Sequence, residues 1–332
     1  MTKFIIRRLI LGVFIVFFGC FIVYAVMRCM PTSYVEKLAR ERSAAAHLAG
    51  SGVSYEEMLA DLNKRYGMDT DVVTGYLKWF GRAITMDFGE SWTWSKNCVE
   101  KFGDVIWYSV IINVISLIVE VAVSIPLGIL AARKQYSVTD YAVTIFALLG
   151  ISLPSFFLST ILKYVFACRL KIFDTHGLVG RYYYYLDTWG KVLDIGKHMV
   201  MPIVVLAMLS VGGLMRYTRT NMLEVLNADY IRTARAKGLS EKKVINKHAF
   251  RNTLIPLVSY MSYLIPSMFG GAMITETLFQ IPGIGYVSYQ SIVAGDIPFT
   301  MFYNAFILVL TQVSLIIADI MYAVVDPRVR AN

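Results

Sequence analysis

The chain has 332 residues, of which 57% are hydrophobic and only 17% are charged. This composition lies outside the usual range of soluble domains and indicates a membrane protein. The net charge of +9 also fits a nucleic-acid-binding protein, but the basic residues flank apolar segments and none of the usual nucleic-acid-binding motifs occurs, so we exclude nucleic acid as a partner.

Six apolar segments are each long enough to cross a bilayer core of about 30 Å as a helix. They lie at residues 9–27, 105–132, 141–168, 199–215, 254–279 and 302–325. The predicted fold class is therefore all-α and integral to the membrane, with six transmembrane helices. Lys3, Arg7 and Arg8 before the first segment also fit a signal peptide, but apolar residues continue to Met27 without a cleavage site, which favours a retained helix.

Basic residues in the short loops predict the orientation of the chain. They precede the first segment, separate the second from the third, dominate residues 216–251 with nine basic against three acidic residues, and close the chain. With six spans, these four places lie on one side of the membrane, which the positive-inside rule assigns to the cytoplasm together with both termini. Outside residues 216–251, the basic residues at the N-terminus, between the second and third segments and at the C-terminus are Lys3, Arg7, Arg8, Arg133, Lys134, Arg328 and Arg330.

Residues 1–30 form the first predicted helix, and residues 31–104 are too many and too charged for a simple turn. We interpret the second segment as a small extracytoplasmic domain in which Ser54 caps a helix that runs to Tyr66. Its Gly- and aromatic-rich interval 87–94 is expected to be a loop on the membrane surface. The remaining residues, 105–330, are the predicted five-helix membrane core.

A second external loop contains four consecutive tyrosines, Tyr182 to Tyr185. These side chains fit an aromatic belt at the membrane surface better than a ligand entrance. The four cysteines show no paired spacing typical of metal ligands, so no metal site is predicted.

The loop between the fourth and fifth spans, residues 216–253, has the composition of a folded helix-turn-helix. Asp229 is expected to cap a first helix, Gly238 to end it in the left-handed conformation, and Ser240 to cap a second helix that runs to Phe250. By itself this pattern fits either a docking surface for a partner or a solvated loop that carries the usual positive-inside charge.

The loop residues Asp229 to Leu239, with His248 to Asn252 and Leu254 to Pro256, resemble the cytoplasmic loop of binding-protein-dependent ABC importer permeases. The similarity is to the B-type permease subunits of the oligopeptide/dipeptide/nickel branch. Of the general family signature Glu-Ala-Ala, three residues, Gly, this chain keeps Ala234 and Gly238. Further matching segments are Arg7 to Leu9, Ile125 to Ala132, Ser152 to Phe156, Glu276 to Phe279, Pro282 to Gly285 and Asp326 to Arg328.

The resemblance implies the type I ABC importer (MetI-like) permease fold, with the loop acting as a coupling helix that seats in an ATPase. It implies a bacterial inner-membrane permease that forms half of a pathway for peptides; the alternative substrate is nickel or another small solute. The implied partners are two ABC ATPase subunits, a second homologous permease and an extracytoplasmic solute-binding protein. The implied coupling residues are Asp229, Tyr230, Arg232, Thr233, Ala234, Arg235, Ala236, Lys237, Gly238 and Leu239.

Within that segment, Ala234 and Gly238 are expected to permit close docking, and Arg232, Arg235 and Lys237 to pair with acidic residues of the ATPase. The sequence contains no G-x-x-x-x-G-K-[ST] phosphate loop, so no cofactor is expected on this chain, and ATP and Mg²⁺ are expected on the partner ATPase subunits.

Charged and helix-breaking residues within or beside the spans are candidates for the transport pathway or its gate, because charge in lipid is costly unless it faces a cavity or a partner. The candidates are Glu120, Pro154, Glu276, Pro282, Gly283, Gly285 and Asp319. Lys163 also lies in a span, where it can instead reach outward to the interface. For Pro282 to Gly285, a plain external turn and a gating role both remain open.

No catalytic residue is predicted. Neither H-E-x-x-H nor G-x-S-x-G occurs, which disfavours a membrane-embedded enzyme. A passive channel or a structural membrane subunit is the other rival, but it does not require a helical loop that binds an ATPase.

Overall fold

The computed structural model describes residues 2–30, 34–48, 53–262 and 264–325. These residues are predominantly helical, which confirms the predicted all-α class. The helices are α1 (Thr2–Cys29), α2 (Tyr34–Leu48), α3 (Tyr55–Arg65), α4 (Val72–Ile84), α5 (Cys98–Arg133), α6 (Val138–Ser152), α7 (Ser155–Leu162), α8 (Thr188–Leu226), α9 (Asp229–Ala236), α10 (Glu241–Lys243), α11 (Phe250–Ser262), α12 (Ile265–Gly270), α13 (Met273–Phe279), α14 (Ile284–Ala294) and α15 (Ile297–Val325).

Two π-helical segments interrupt the α-helical geometry: Lys163–Arg169 follows α7, and Val244–Ala249 joins α10 to α11. A short 3₁₀ turn covers Tyr183–Tyr185. The interval expected to be an irregular surface loop contains part of a small antiparallel pair, β1 (Glu90–Ser91) and β2 (Lys96–Asn97).

Four of the described helices, α1, α5, α8 and α15, are long and apolar enough to cross a membrane, and there are five spans if α6 and the helix after it form one. That pair bends by 102° at Pro154. The bend follows from proline chemistry, because Leu153 before the proline is forced into an extended conformation, with ψ of 128°.

The predicted fifth span, residues 254–279, is divided among α11, α12 and α13 instead of forming one helix. Pro256 lies inside α11 and Pro266 at the start of α12. Gly271 then ends α12 with a φ of 71°, a conformation that favours glycine. These residues explain why a continuous apolar run is a broken helix.

The chain divides into two compact units, Met1–Val105 with Val287–Gln312 and Ile106–Tyr286 with Val313–Asn332. In the first unit, α4 packs along α1. The hydroxyl of Tyr76 donates to the carbonyl of Phe17 at 2.6 Å, and the Tyr76 ring is only 1% exposed. Since Phe17 lies midway along the predicted first span, α4 contacts a part of α1 that the sequence interpretation placed within the membrane.

The rest of the first unit is held by local caps and a buried carboxylate. Ser54 is the N-cap of α3, as predicted, and it forms a capping box with Glu57, with bonds of 3.2 and 3.1 Å. The buried carboxylate of Asp296 accepts the Ser91 hydroxyl, the Thr93 amide at 3.1 Å and the Phe299 amide at 3.2 Å. It therefore fixes the small hairpin to the first turn of α15.

In the second unit, α6 and α8 approach each other closely at two glycines. A Cβ on Gly150 would lie 2.5 Å from the carbonyl oxygen of Met208, and a Cβ on Gly212 would overlap the carbonyl of Ala147. Small residues at such a contact allow helix backbones to approach within the membrane, where apolar lipid provides no hydrophobic drive for association.

We predict that Gly212→Ala lowers the thermal unfolding midpoint of the purified protein in detergent. The new methyl group overlaps the α6 backbone, and overpacking of this kind costs about 1–3 kcal/mol. The matched control is Gly196→Ala in the same helix, where a Cβ meets open space and alanine favours the helix by roughly 0.5–1 kcal/mol. A Gly212→Ala midpoint at or above that of Gly196→Ala would contradict the close packing.

Candidate functional site

The predicted coupling segment forms the expected helix-turn-helix, but the first helix starts and the second helix ends at positions other than those predicted. The residue that caps α9 is Ala228 and Asp229 is the first helical residue, so the helix begins one residue earlier than predicted. Asp229 still places a carboxylate at the helix N-terminus, which the helix dipole favours. Gly238 adopts the predicted left-handed conformation, with φ of 75°, and Ser240 precedes α10. The second helix does not end at Phe250 but continues through the π-helical segment into α11.

The inner face of α9 packs on the protein itself. Ile231 is fully buried and Ala234 is 7% exposed. Ala234 thus lies in an apolar cluster beneath the segment, and not on the exposed surface where the sequence interpretation expected it to allow docking. Leu239 is partly buried at the edge of this cluster. The other buried members are Ala132, Met222, Val244, Ile245 and Ala249.

The outer face of α9 and the following turn is exposed. It consists of Asp229, Tyr230, Arg232, Thr233, Arg235, Ala236, Lys237 and Gly238. The segment therefore has one face anchored by apolar packing and one face open to a partner.

The three cations on this exposed face differ in their surroundings. Arg235 forms a two-pronged pair with Glu241, at 2.9 and 3.2 Å. Arg232 is 3.8 Å from Asp229, and both side chains are largely exposed. Lys237 has no ion-pair partner in the described part of the chain. Arg235 consequently ties α9 to α10, whereas Arg232 and Lys237 are the cations more available to a partner.

Hydrogen bonds from Arg235 hold the pKa of Glu241 below its ordinary value. For a carboxyl group with a lowered pKa, the stabilisation is present above the ordinary carboxyl range and is lost as the pH falls through the lowered value. Because both side chains are substantially exposed, the pair contributes roughly 0–1 kcal/mol near neutral pH.

A cavity of about 470 Å³ lies within the second unit. Its wall combines apolar side chains with neutral polar groups, and Glu120 is its single charged residue among those described. Glu120 is 6% exposed. The lining residues are Asn113, Ser116, Leu117, Glu120, Ile151, Leu206, Leu209, Ser210, Gly213, Tyr260, Leu264, Ser267, Met268, Gly271 and Ala272.

A second buried carboxylate, Glu276, lies behind this wall and is fully bonded. One oxygen accepts the Ser109 hydroxyl at 2.7 Å and the Ala272 amide at 2.9 Å. The other oxygen accepts the Tyr286 amide at 3.0 Å. Ser109 in turn accepts the Ile284 amide at 2.7 Å. The carboxylate joins α5, α13 and the start of α14.

The glycines of the predicted turn pack against this network. A Cβ on Gly283 would overlap the Glu276 carboxylate, and one on Gly285 would lie 2.7 Å from the amide nitrogen of Met273. The structure thus brings Glu276, Gly283 and Gly285 together, while Pro282 is exposed on the turn. This arrangement is a closely packed, hydrogen-bonded joint between α5, α13 and α14.

The remaining candidates lie elsewhere. Pro154 is at the bend between α6 and α7 and does not line the cavity. Lys163 donates to the carbonyl of Leu278 at 2.7 Å, so it provides a hydrogen-bond donor for a carbonyl at the C-terminal end of α13. The side chain of Asp319, like the whole of Arg328 and Arg330, is outside the described residues.

Several residues of these sites were not anticipated from the sequence. The unpredicted Ser109, Asn113, Ser116 and Ser124 lie in α5 with the predicted candidate Glu120, at successive intervals of four, three, four and four residues. That spacing puts them on one helix face. The signal for these residues is a polar stripe in an apolar span, which becomes visible when the neutral polar residues are taken together with the one ionisable residue.

Comparisons with known proteins agree with this architecture. A family model described as "Binding-protein-dependent transport system inner membrane component" matches residues 124–331, more than half of the chain. This chain belongs to that family, which has the type I importer permease fold, and it is a membrane-embedded transport permease.

Several curated relatives share most of their length with the chain. The oligopeptide transport system permease protein AppB of Bacillus subtilis (strain 168) is 38% identical over 267 residues, 80% of this chain and 83% of its own length. The dipeptide transport system permease protein DppB of the same strain is 34% identical over 281 residues, 83% and 85% of the two chains. A putative peptide transport system permease protein of Brucella abortus (strain 2308) is 30% identical over 333 residues and covers 99% of each.

We predict that Glu276→Gln destabilises the protein, because the side-chain amide turns an N–H group toward backbone N–H groups and leaves at least one buried donor unpaired. Such a loss costs about 1–3 kcal/mol. The measurement is the thermal unfolding midpoint in detergent. Thr277→Val is the control, since the Thr277 hydroxyl bonds the Met273 carbonyl of its own helix at 2.6 Å. Equal midpoints for the two variants would argue against the joint.

Proposed function

We propose that this chain is the permease subunit of an ATP-driven peptide importer, in which α9 passes motion from a separate ATPase to the helices around the cavity. The observation that carries the proposal is the two-faced structure of α9. Its inner side is packed into the permease and its outer side is exposed.

The connection between α9 and the cavity is short. α8 supplies Leu206, Leu209, Ser210 and Gly213 to the cavity wall and ends at Leu226. Only two residues separate its last residue from the first residue of α9. Displacement of α9 by a partner is therefore passed to a helix that lines the cavity, which is a rigid-body coupling mechanism.

The proposed assembly contains two ABC ATPase subunits, which bind ATP and Mg²⁺, and a second homologous permease that completes the pathway. An extracytoplasmic solute-binding protein delivers the ligand. In this arrangement the chain is in a bacterial inner membrane, with α9 and both termini on the cytoplasmic side, and it has no enzymatic activity of its own. Support comes from the family match and from the basic composition of residues 216–251.

Peptide is the proposed substrate. The relatives AppB and DppB carry names that refer to oligopeptide and dipeptide transport. The cavity wall, with neutral polar groups among apolar ones, suits a ligand that has a polar backbone and varied side chains.

We predict that Ala236→Trp prevents recovery of the ATPase subunits when the permease is purified from detergent-solubilised membranes. We also expect it to lower peptide uptake at least about tenfold, because it removes a central contact at an interface. Ala236 is exposed on α9, so the large side chain blocks docking without entering the apolar cluster. Gly238 is a poorer choice, because its positive φ strains the backbone with any larger residue.

The control is Val138→Trp, a similarly bulky change at a side chain that is 86% exposed at the start of α6. It should retain the ATPase and uptake. Retention of the ATPase by Ala236→Trp would refute the docking role of α9. Uptake by the native importer of Ni²⁺ but of no peptide would refute the proposed substrate.

A further inference from the structure

We propose that Glu120 binds the primary ammonium group of the transported ligand inside the cavity. This inference rests on the proposed function in peptide import and adds to it a site of defined chemistry within the membrane part of the protein.

The four buried carboxylates of the described structure fall into two groups. Asp140, Glu276 and Asp296 are each bonded to the protein: Asp140 by the guanidinium of Arg219 at 2.7 and 2.8 Å, and the other two by backbone amides and serine hydroxyls. Glu120 is equally buried but has no hydrogen-bond or ion-pair partner among the described residues. Three carboxylates therefore stabilise the fold, and the fourth, Glu120, is available to bind a ligand.

The surroundings of Glu120 determine which ligand it accepts. The described cavity lining contains no lysine, arginine or histidine. A charged side chain within a membrane is costly unless it faces a cavity or an opposite charge. A ligand cation would supply that charge in a site shielded from water, where the attraction is stronger than in solution.

The neutral groups of the wall suit an ammonium ion. A primary ammonium has three N–H donors and no acceptor. Besides the carboxylate, the hydroxyl oxygens of Ser116, Ser210 and Tyr260 and the amide oxygen of Asn113 are acceptors among the residues that line the cavity. The site thus matches either source of this group in a peptide, its α-ammonium or a lysine side chain.

The first test measures access to Glu120 directly. The purified importer is treated with a carbodiimide, which reacts with buried carboxyl groups, and labelling of Glu120 is followed by mass spectrometry. Protection is compared for trialanine, N-acetyltrialanine, and an N-acetylated tripeptide with a central lysine. We expect trialanine or the lysine peptide, or both, to protect Glu120, and N-acetyltrialanine to fail; which of the first two protects identifies the source of the ammonium.

Equal protection by all three peptides, or by none, would overturn the proposal. So would the absence of labelling without any peptide, because it would mean that a partner subunit already pairs with Glu120.

The second test is uptake of trialanine into proteoliposomes by the complete importer. Glu120→Gln should reduce uptake at least about tenfold, as expected for the loss of a charge-assisted hydrogen bond, while Glu120→Asp retains most of it. Glu100→Gln, the same change at an exposed residue of α5 outside the cavity lining, is the control and should change uptake little. Thermal midpoints identify any variant that has failed to fold.

The two hypotheses fail in different ways. If the native importer takes up no peptide, the proposed function is wrong. If it takes up trialanine and Glu120→Gln does so equally well, peptide import stands and the ammonium site is wrong.

Discussion

The close approach of α6 and α8 at Gly150 and Gly212 is the contact on which both functional regions depend. Helices in lipid gain little from hydrophobic burial against one another, so their positions are set by close packing and by buried polar contacts. Both are present in this pair, since the ion pair between Asp140 and Arg219 joins the same two helices. The contact fixes α8, and α8 supplies one wall of the cavity and leads directly into α9.

The broken helix in place of the predicted fifth span is possible because other elements satisfy its backbone. Irregular backbone at membrane depth is tolerated only where protein or water supplies hydrogen-bond partners. Here long polar side chains from neighbouring helices supply them, and the Glu276 carboxylate accepts amides on both sides of the turn before α14. The side-chain donors to the carbonyls of Pro256, Met268 and Leu278 are Tyr217, Asn113 and Lys163.

Features that depend on local chemistry could be predicted from the sequence, and those that depend on distant residues could not. The Ser54 helix cap and the left-handed Gly238 involve only neighbouring residues, and both are confirmed. The joint between Ser109 and Glu276 links positions 167 residues apart, so nothing next to either residue reveals it. The inward face of Ala234 likewise depends on an apolar cluster assembled from α5, α8 and the π-helical segment after α10.

The length of α8 has a mechanical consequence. After Pro202 the helix continues without another proline to Leu226, about 36 Å at 1.5 Å per residue. A rod of this length acts as a lever, and a tilt of about 10° at the proline moves the far end by roughly 6 Å, one helical turn. The cavity-lining residues Leu206 to Gly213 lie about 6 to 17 Å along this rod from Pro202, so the same tilt moves the cavity wall by roughly 1 to 3 Å. A shift of a few ångströms at Leu226, beside α9, therefore accompanies a smaller shift of the cavity wall.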